Sequence, residues 1–321
     1  MRDALSIPSK EDILAAAERI RPHANRTPVM TSRQLDSLVG CQLFFKCENL
    51  QRVGAFKFRG ACNAVLSLSD AEASKGVATH SSGNHAAALS LAARLRGIVA
   101  HVVMPSNSPK IKVAAVEGYG GRITFCEPTL EARETTLAKV VAETGAHVVH
   151  PYDDPRVIAG QATACKELVE EVPGLDVIIA PVGGGGLLSG TLLSAKNWSP
   201  STKVYGAEPA GADDAFRSFE AGRRIPQTNP RTIADGLRTS LSPRTFKIIS
   251  ENAEGIVIVG EDSIREAVRL FFSRMKLVVE PSGAVPLGAL LEKKLDVAGK
   301  RVGMIISGGN VEPSVLSEIL G

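Results

Sequence analysis

The sequence predicts an α/β protein built from two open parallel-sheet domains that face each other across a cleft. The first observation is a regular alternation of short apolar strands and longer helical segments between residues 76 and 150. A second run of the same kind extends from residue 161 to residue 306. The third observation is size, because 321 residues with 44% hydrophobic content suffice for two cores. Ligands of such sheets bind at the carboxyl ends of the strands, so the cleft is the predicted site.

The first half of the chain carries clear start and stop signals. Ser9, followed by Glu11 and Asp12, opens a helix over 13–20 that Pro22 and Pro28 separate from the next element. The elements predicted after it are a strand over 42–47, a helix over 58–68, strands over 76–80, 100–104, 122–126 and 147–150, and helices over 84–95, 109–117 and 130–144.

The second half repeats this alternation around an irregular, proline-containing stretch at 227–230. Its predicted elements are helices over 161–172, 185–195, 261–275 and 283–291, and strands over 177–180, 203–208, 255–259 and 301–306. Strands that alternate with helices in this way indicate βαβ units and parallel sheets.

Composition excludes several classes of function. The formal net charge is only +3, aromatics are 4%, and no dense Lys/Arg block is interleaved with aromatic residues, so no nucleic-acid partner is expected. The five cysteines include no Cys-x-x-Cys pair, which indicates reduced thiols rather than a zinc site or a disulfide framework. No apolar run is long enough for a membrane helix, and residues 1–17 carry acids, unlike a secretory signal. A cytoplasmic protein without a membrane partner is therefore expected.

Lys57 has two phenylalanines as its immediate neighbours in sequence, which is unusual for a lysine. Residues 54–60 read Gly-Ala-Phe-Lys-Phe-Arg-Gly, which places Lys57 between Phe56 and Phe58. Burial beside apolar side chains lowers the pKa of an amine and leaves it nucleophilic, as Schiff-base chemistry with an aldehyde requires. The alternative interpretation is a surface lysine on an amphipathic helix.

Three glycine- or serine-rich segments follow predicted strands. Gly183, Gly184, Gly185 and Gly186 leave bare N–H groups at a helix start, a cradle for an anion such as phosphate, although a tight turn is the alternative. The segment 81–85, Ser-Ser-Gly-Asn-His, suits a carboxylate or plain helix capping. The segment 307–310, Ser-Gly-Gly-Asn, is by itself only a turn. Together with an aldehyde-reactive lysine, these segments describe a ligand with a phosphate and a ring, and pyridoxal phosphate fits.

These motifs, with Ala207-Glu208-Pro209, stand in the order found in fold-type II pyridoxal-phosphate enzymes, and the chain resembles their serine/threonine dehydratase and serine racemase family (tryptophan-synthase-β-like). The resemblance implies a large cofactor-binding domain over 1–72 and 154–321, a small substrate-binding domain over 73–153, and a homodimer. It also implies that Lys57 binds the cofactor covalently and later acts as the base. The remaining implied cofactor contacts are Phe56, Asn84, Gly183, Gly184, Gly185, Gly186, Leu187 and Ser307.

The implied reaction is α,β-elimination from a 3-hydroxy amino acid (L-serine, L-threonine or 3-hydroxyaspartate) to a 2-oxo acid and ammonia. The main alternative is serine racemisation, for which Ser82 would deliver a proton to the opposite face of Cα. Two further alternatives are β-replacement, which usually has a different loop at 81–85, and a non-enzymatic binding protein, which would be expected to lack Lys57. The implied substrate contacts are Ser81, Ser82, Asn84, His85, Arg133 and Thr239.

Two further sites follow from the resemblance. Glu208, Ala212 and Asp214 match a divalent-cation site, where two carboxylates and a backbone carbonyl suit Mg²⁺, and also Mn²⁺ or Ca²⁺; solvated surface acids are the alternative. Arg133 matches an arginine that reaches toward a second substrate carboxylate, which suggests 3-hydroxyaspartate as substrate. The alternative is that Arg133 pairs with Glu131 or Glu134 on a solvated helix.

Overall fold

Two β-sheets organise the molecule, which is described by a computed structural model covering residues 5–321. The larger sheet has six strands in the order β1-β2-β10-β7-β8-β9, and only β1 runs antiparallel to its neighbour. The smaller sheet has four parallel strands in the order β5-β4-β3-β6. The predicted α/β class with two parallel sheets is therefore confirmed.

The strands have the following bounds: β1 Val29–Met30, β2 Gln42–Cys47, β3 Val77–His80, β4 Ala100–Pro105, β5 Arg122–Cys126, β6 His147–Val148, β7 Val177–Pro181, β8 Lys203–Pro209, β9 Gly255–Val259 and β10 Arg301–Ile306. The helices have the following bounds: α1 Lys10–Ile20, α2 Arg33–Val39, α3 Lys57–Leu66, α4 Asp70–Ala73, α5 Asn84–Arg96, α6 Lys110–Gly118, α7 Leu130–Thr144, α8 Pro155–Glu171, α9 Gly186–Trp198, α10 Asp214–Ala221, α11 Pro243–Asn252, α12 Glu261–Leu270, α13 Pro281–Leu291 and α14 Pro313–Leu320.

Alternate side chains of the larger sheet enter two different cores. Ile179 and Met304 pack with α12 and α13 on one face, whereas Ile178 and Ile305 pack with α8 and α9 on the other. This period of two on a sheet covered on both faces explains why its strands consist mostly of apolar residues.

A third core fills the space beside the smaller sheet. Val102 of β4 and Leu89 of α5 belong to it, and so do Phe58 and Val65 of α3. The strands of the smaller sheet all lie within 73–153, but α3 shares their core from outside that range. The exact domain boundaries therefore stay a prediction.

Most predicted elements lie where the sequence places them, and the differences have local causes. Helix α8 begins at Pro155 rather than at 161, because Asp154 caps it and proline is accepted at the first helical position. The helix predicted over 261–275 ends at Leu270 and continues as a π-helical turn, Phe271–Met275. Sequence analysis also missed β1 and the short helices α2, α4, α10, α11 and α14.

The described part of the chain contains no helix with the length and apolar character needed to cross a membrane. The sequence-based statement about residues 1–17 extends to the first four residues, which lie outside the described range.

Candidate active site

Lys57 lies at the first position of α3, at the edge of the cleft. Its Nζ donates a hydrogen bond to the carbonyl oxygen of Pro151 at 2.9 Å and lies 5.0 Å from the centre of the Phe56 ring. Burial lowers the pKa of Lys57 to about 8, although the charge of Glu280 opposes this shift. A substantial fraction of the amine is therefore unprotonated near neutral pH, as a nucleophile requires.

The lysine segment is joined to the segment that follows β10. The backbone N–H of Phe56 donates to the carbonyl oxygen of Ser307 at 3.0 Å, and Ala55 forms a bridge with Gly308. Ser307 is buried. The structure thus brings Phe56, Lys57 and Ser307 to the same edge of the larger sheet, where the sequence analysis placed them.

The four-glycine segment connects β7 to α9. Gly185 adopts a φ of +86°, which glycine accepts without strain, and α9 begins at the next residue without a side-chain cap. Free N–H groups at an uncapped helix start suit a phosphate. A Cβ on Gly184 would lie 2.4 Å from ring atoms of Tyr152, so the loop also needs glycine to pack beneath this ring. Leu187 is buried behind it.

The segment 81–85 lies at the carboxyl end of β3 and reaches across the cleft. Asn84 Nδ2 donates to both carboxylate oxygens of Glu280, and Asn84 Oδ1 accepts from Asn310 Nδ2. Ser81 and Ser82 are half-buried in the same loop. His85 is buried with Nε2 3.1 Å from the Val149 carbonyl oxygen, and burial lowers its pKa to about 3, so the imidazole is neutral at pH 7.

Arg133 lies in the first turn of α7, near the carboxyl edge of the smaller sheet. Its Nε is buried and has no hydrogen-bond partner in residues 5–321. Within the same range it forms no ion pair with Glu131 or Glu134, the alternative partners considered from the sequence. Burial lowers the pKa of His80, the last residue of β3, and the positive charge of Arg133 adds to this shift, so the guanidinium lies within electrostatic reach of the strand that leads into the loop 81–85. Thr239, by contrast, is exposed on the opposite side of the cleft.

The predicted metal ligands meet at the end of β8. Glu208 and Asp214 are both fully buried, and Ala212 is buried between them in sequence. Glu208 accepts the N–H groups of Ala215 and Phe216 at 3.0 and 2.8 Å, whereas neither carboxylate oxygen of Asp214 has a hydrogen-bond partner in the described chain.

Burial and the nearby Asp214 raise the pKa of Glu208, and burial raises that of Asp214 to about 7. Two adjacent buried acids, of which Asp214 has both oxygens without a hydrogen-bond partner in the described chain, fit a cation. No group of three or more His, Cys, Asp or Glu side chains in residues 5–321 is placed to hold one, so a carbonyl and water would complete the shell.

Sequence reasoning missed several residues of the site. Glu280 is buried, and burial raises its pKa to about 7; its signal was an acid inside an apolar run, Leu-Val-Val-Glu-Pro. Lys112 of α6 forms an ion pair with Asp235, which links the two sides of the cleft. Tyr152 and the Pro151 carbonyl had no sequence signal, because their roles depend on the position of the loop before α8.

The fold and site together define a class of protein. A lysine of low basicity, an uncapped helix start for an anion and the buried Ser307 lie in one cleft between the two sheets. This arrangement fits an enzyme that holds an aldehyde cofactor carrying a phosphate.

Comparison with known proteins gives the family. The profile described as "Pyridoxal-phosphate dependent enzyme" matches residues 20–308, and the chain belongs to this family. It is 55% identical over 306 residues to the beta-hydroxyaspartate dehydratase of Paracoccus denitrificans, covering 95% of this chain and 97% of the relative.

Two other relatives cover nearly all of the chain. The L-threo-3-hydroxyaspartate ammonia-lyase of Saccharomyces cerevisiae is 47% identical over 95% of this chain and 94% of its own. The crystal structure of serine racemase from Dictyostelium discoideum superimposes with a TM-score of 0.91 at 48% identity, over 96% of this chain and 100% of that one. The predicted family and its dependence on pyridoxal phosphate are thus confirmed, and the chain is an enzyme related to ammonia-lyases and racemases.

Proposed function

We propose that this enzyme is an ammonia-lyase that prefers 3-hydroxyaspartate among the 3-hydroxy amino acids. The observation that carries this proposal is the unpartnered, buried Nε of Arg133 beside the loop 81–85. A guanidinium pairs well with a carboxylate, and a second carboxylate distinguishes 3-hydroxyaspartate from serine and threonine. The names of two relatives, a beta-hydroxyaspartate dehydratase and a hydroxyaspartate ammonia-lyase, support the same substrate class.

The residues of the cleft divide the work as follows. Bound pyridoxal phosphate supplies an electron sink that acidifies the Cα–H bond of the substrate. Lys57 holds the cofactor through its amine and, once released by the substrate amine, takes the Cα proton. The substrate α-carboxylate binds to Ser81, Ser82, Asn84 and His85 of the loop 81–85. The β-hydroxyl then leaves as water, and another water molecule hydrolyses the resulting unsaturated amine, which releases ammonia and the 2-oxo acid.

The remaining contacts orient the cofactor. Asn84 would bond the ring hydroxyl, Phe56 would lie against the ring and Ser307 would meet the ring nitrogen. The phosphate binds to the N–H groups of 183–186 and of Leu187. These assignments are supported by the positions of the residues around Lys57 and by the uncapped start of α9.

We also propose that Glu208, Asp214 and the carbonyl of Ala212 hold a divalent cation, Mg²⁺ or else Mn²⁺ or Ca²⁺. The support is the pair of buried acids, of which Asp214 has two oxygens without a hydrogen-bond partner in the described chain. A cytoplasmic location and a homodimeric state complete the proposal.

Serine racemisation is the second candidate, supported by Ser82 in the loop 81–85 and by the racemase relative. One assay distinguishes the ammonia-lyase from the racemase. Release of 2-oxo acid and ammonia is measured from L-serine, L-threonine and the threo and erythro isomers of 3-hydroxyaspartate, and D-serine is measured in the L-serine reaction. We expect one 3-hydroxyaspartate isomer to exceed the other substrates about tenfold in kcat/KM, which corresponds to roughly 1.4 kcal/mol.

A best substrate other than 3-hydroxyaspartate would refute the proposed preference, and D-serine that forms before pyruvate would favour the racemase. The Lys57→Ala variant is the control, because it should neither turn yellow with pyridoxal phosphate nor release a 2-oxo acid.

A further inference from the structure

Behind the lysine, on the side of α3 away from the cleft, lies a buried cluster of four charges. Arg59, Lys46 and Glu48 are fully buried, and the side chain of Glu167 is 18% exposed. Two positive and two negative charges balance one another within the cluster.

Arg59 is the centre of the cluster. Its Nε and Nη2 donate to the two oxygens of Glu48 at 2.7 and 2.8 Å, and its Nη1 and Nη2 donate to the two oxygens of Glu167 at 2.7 and 2.8 Å. Lys46 Nζ donates to Glu167 at 2.6 Å, and Thr27 Oγ1 donates to Glu48 at 2.6 Å. One guanidinium therefore joins α3 bidentately both to the segment after β2 and to α8.

The first turn of α3 is anchored by the backbone contacts of Ala55 and Phe56 with the segment after β10 and by the buried Phe58, and Arg59 adds side-chain contacts to these. Phe56 precedes α3 without a side-chain cap. Lys57 and Arg59 are two positions apart on a helix, so they point to nearly opposite sides. Close packing limits sliding on the Arg59 side, because a Cβ on Gly160 would lie 2.4 Å from the Arg59 carbonyl oxygen.

Stability alone is a weak reason for such a cluster. The desolvation of buried charges offsets most of their attraction, and apolar replacements of buried ion pairs often leave a protein as stable as before. A bidentate guanidinium, however, specifies both distance and rotation. A residue that reacts covalently needs a fixed position, because a displacement of its reacting atom by about 1 Å lowers the reaction rate strongly.

We infer that Arg59 is a positioning residue whose two carboxylate contacts fix the first turn of α3 and thereby the location of Lys57 Nζ in the cleft. The inference rests on the proposed role of Lys57. In this assignment the cluster acts on the reaction only through Lys57 and touches neither substrate nor cofactor.

The test uses a double variant, Arg59→Met with Glu48→Gln, which removes one charge of each sign and leaves the pair of Lys46 with Glu167. The rate at which Lys57 of the apoenzyme is reductively methylated by formaldehyde is followed against pH by peptide mass spectrometry. We expect the midpoint to rise by roughly one pH unit as the loosened amine gains water. The visible circular dichroism of the cofactor-loaded protein should weaken as well. A folded double variant with both readouts unchanged would overturn the inference.

Two further variants keep the test decisive. Arg59→Lys retains the charge but loses the bidentate contacts, so its midpoint should rise as well; an unchanged midpoint overturns the inference even if the double variant does not fold. The matched control, Lys247→Met with Glu251→Gln, removes an exposed pair of α11 and should leave both readouts unchanged. Failure of the proposed role of Lys57 would show separately, as covalent cofactor binding that persists in Lys57→Ala.

Discussion

The side-chain amide of Asn84 donates hydrogen bonds to both carboxylate oxygens of Glu280, at 3.0 and 3.1 Å. Asn84 begins α5 beside the smaller sheet, whereas Glu280 immediately precedes α13 beside the larger one, so the contact crosses the cleft. Asn310 supports it by donating to Asn84 at 2.9 Å and to the Val53 carbonyl oxygen at 2.7 Å. The side-chain amide of Asn310 therefore links the loop 81–85 to the segment that precedes Lys57.

The first prediction concerns Glu280 and stability. Burial raises the pKa of Glu280 to about 7 from its ordinary value of 4.5, so the folded state holds this proton more tightly than the unfolded state. The stabilisation that Glu280 gives the folded state is fully present below pH 4.5, where the carboxyl is protonated in both states. It is lost as the pH rises through 7, where the folded protein must release this proton. The unfolding free energy of the apoenzyme relative to that of Glu280→Gln should fall by roughly 2 to 3 kcal/mol over this range. Urea unfolding at several pH values measures it, and parallel curves would contradict the prediction.

The second prediction concerns the reactivity of Lys57. Because burial lowers its pKa to about 8, covalent incorporation of pyridoxal phosphate into the apoenzyme should accelerate as pH rises through about 8. The negative charge of Glu280 opposes this shift, so Glu280→Gln should move the midpoint to lower pH. Stopped-flow absorbance between pH 6.5 and 9.5 follows the rate. A wild-type midpoint near 10.5, the pKa of an ordinary lysine, would contradict the prediction that burial lowers the pKa of Lys57.

The third prediction concerns substrate choice. Arg133→Ala should lower kcat/KM for 3-hydroxyaspartate by roughly 10- to 100-fold, the usual effect of losing a charge-assisted hydrogen bond, while sparing L-serine. The kcat/KM of Arg133→Lys for 3-hydroxyaspartate should lie between those of the wild type and Arg133→Ala, because lysine keeps the positive charge but lacks the two parallel N–H donors of the guanidinium. Arg122→Ala, an exposed arginine at the start of β5, is the matched control. Equal losses on both substrates in Arg133→Ala would reject the role.

The fourth prediction concerns the ion pair between Lys112 and Asp235. The pair is partly exposed, with side-chain exposures of 16% and 43%, so salt should screen it. Lys112→Met should raise KM a few-fold at low ionic strength, as the loss of about 1 kcal/mol implies. The difference from wild type should shrink in about 1 M NaCl, where the screening length is a few ångströms. A salt-independent difference would point to packing of the lysine chain instead of charge.

The fifth prediction concerns the acids at the end of β8. Addition of Mg²⁺, Mn²⁺ or Ca²⁺ to chelator-treated protein should raise Tm, since a ligand that binds only the folded state stabilises it. Asp214→Asn should abolish most of this response, and Asp213→Asn, whose carboxylate instead pairs with Arg217, should retain it. Differential scanning calorimetry measures the shift. An equal response in both variants would place the cation elsewhere.

Much of this molecule is determined by local sequence. Apolar strands that alternate with helices specify the parallel sheets, since each element buries a face set by its own periodicity. The segments 81–85, 183–186 and 307–310 stand out because they follow strands whose ends meet at one edge of a parallel sheet, and Lys57 stands out by its apolar neighbours. The individual roles of Asn84 and Ser307 follow only from the family resemblance.

Tertiary structure alone decided which partners these residues have. Glu280 meets Asn84 across 196 positions of sequence, and Arg59 meets Glu167 across 108. Such contacts depend on how α5, α8 and α13 pack against one another, and local propensity carries no information about this. Burial then sets the chemistry: the same lysine that would have a pKa of 10.5 in water has one of about 8 in the cleft, because neighbouring elements exclude the water that would solvate its charge.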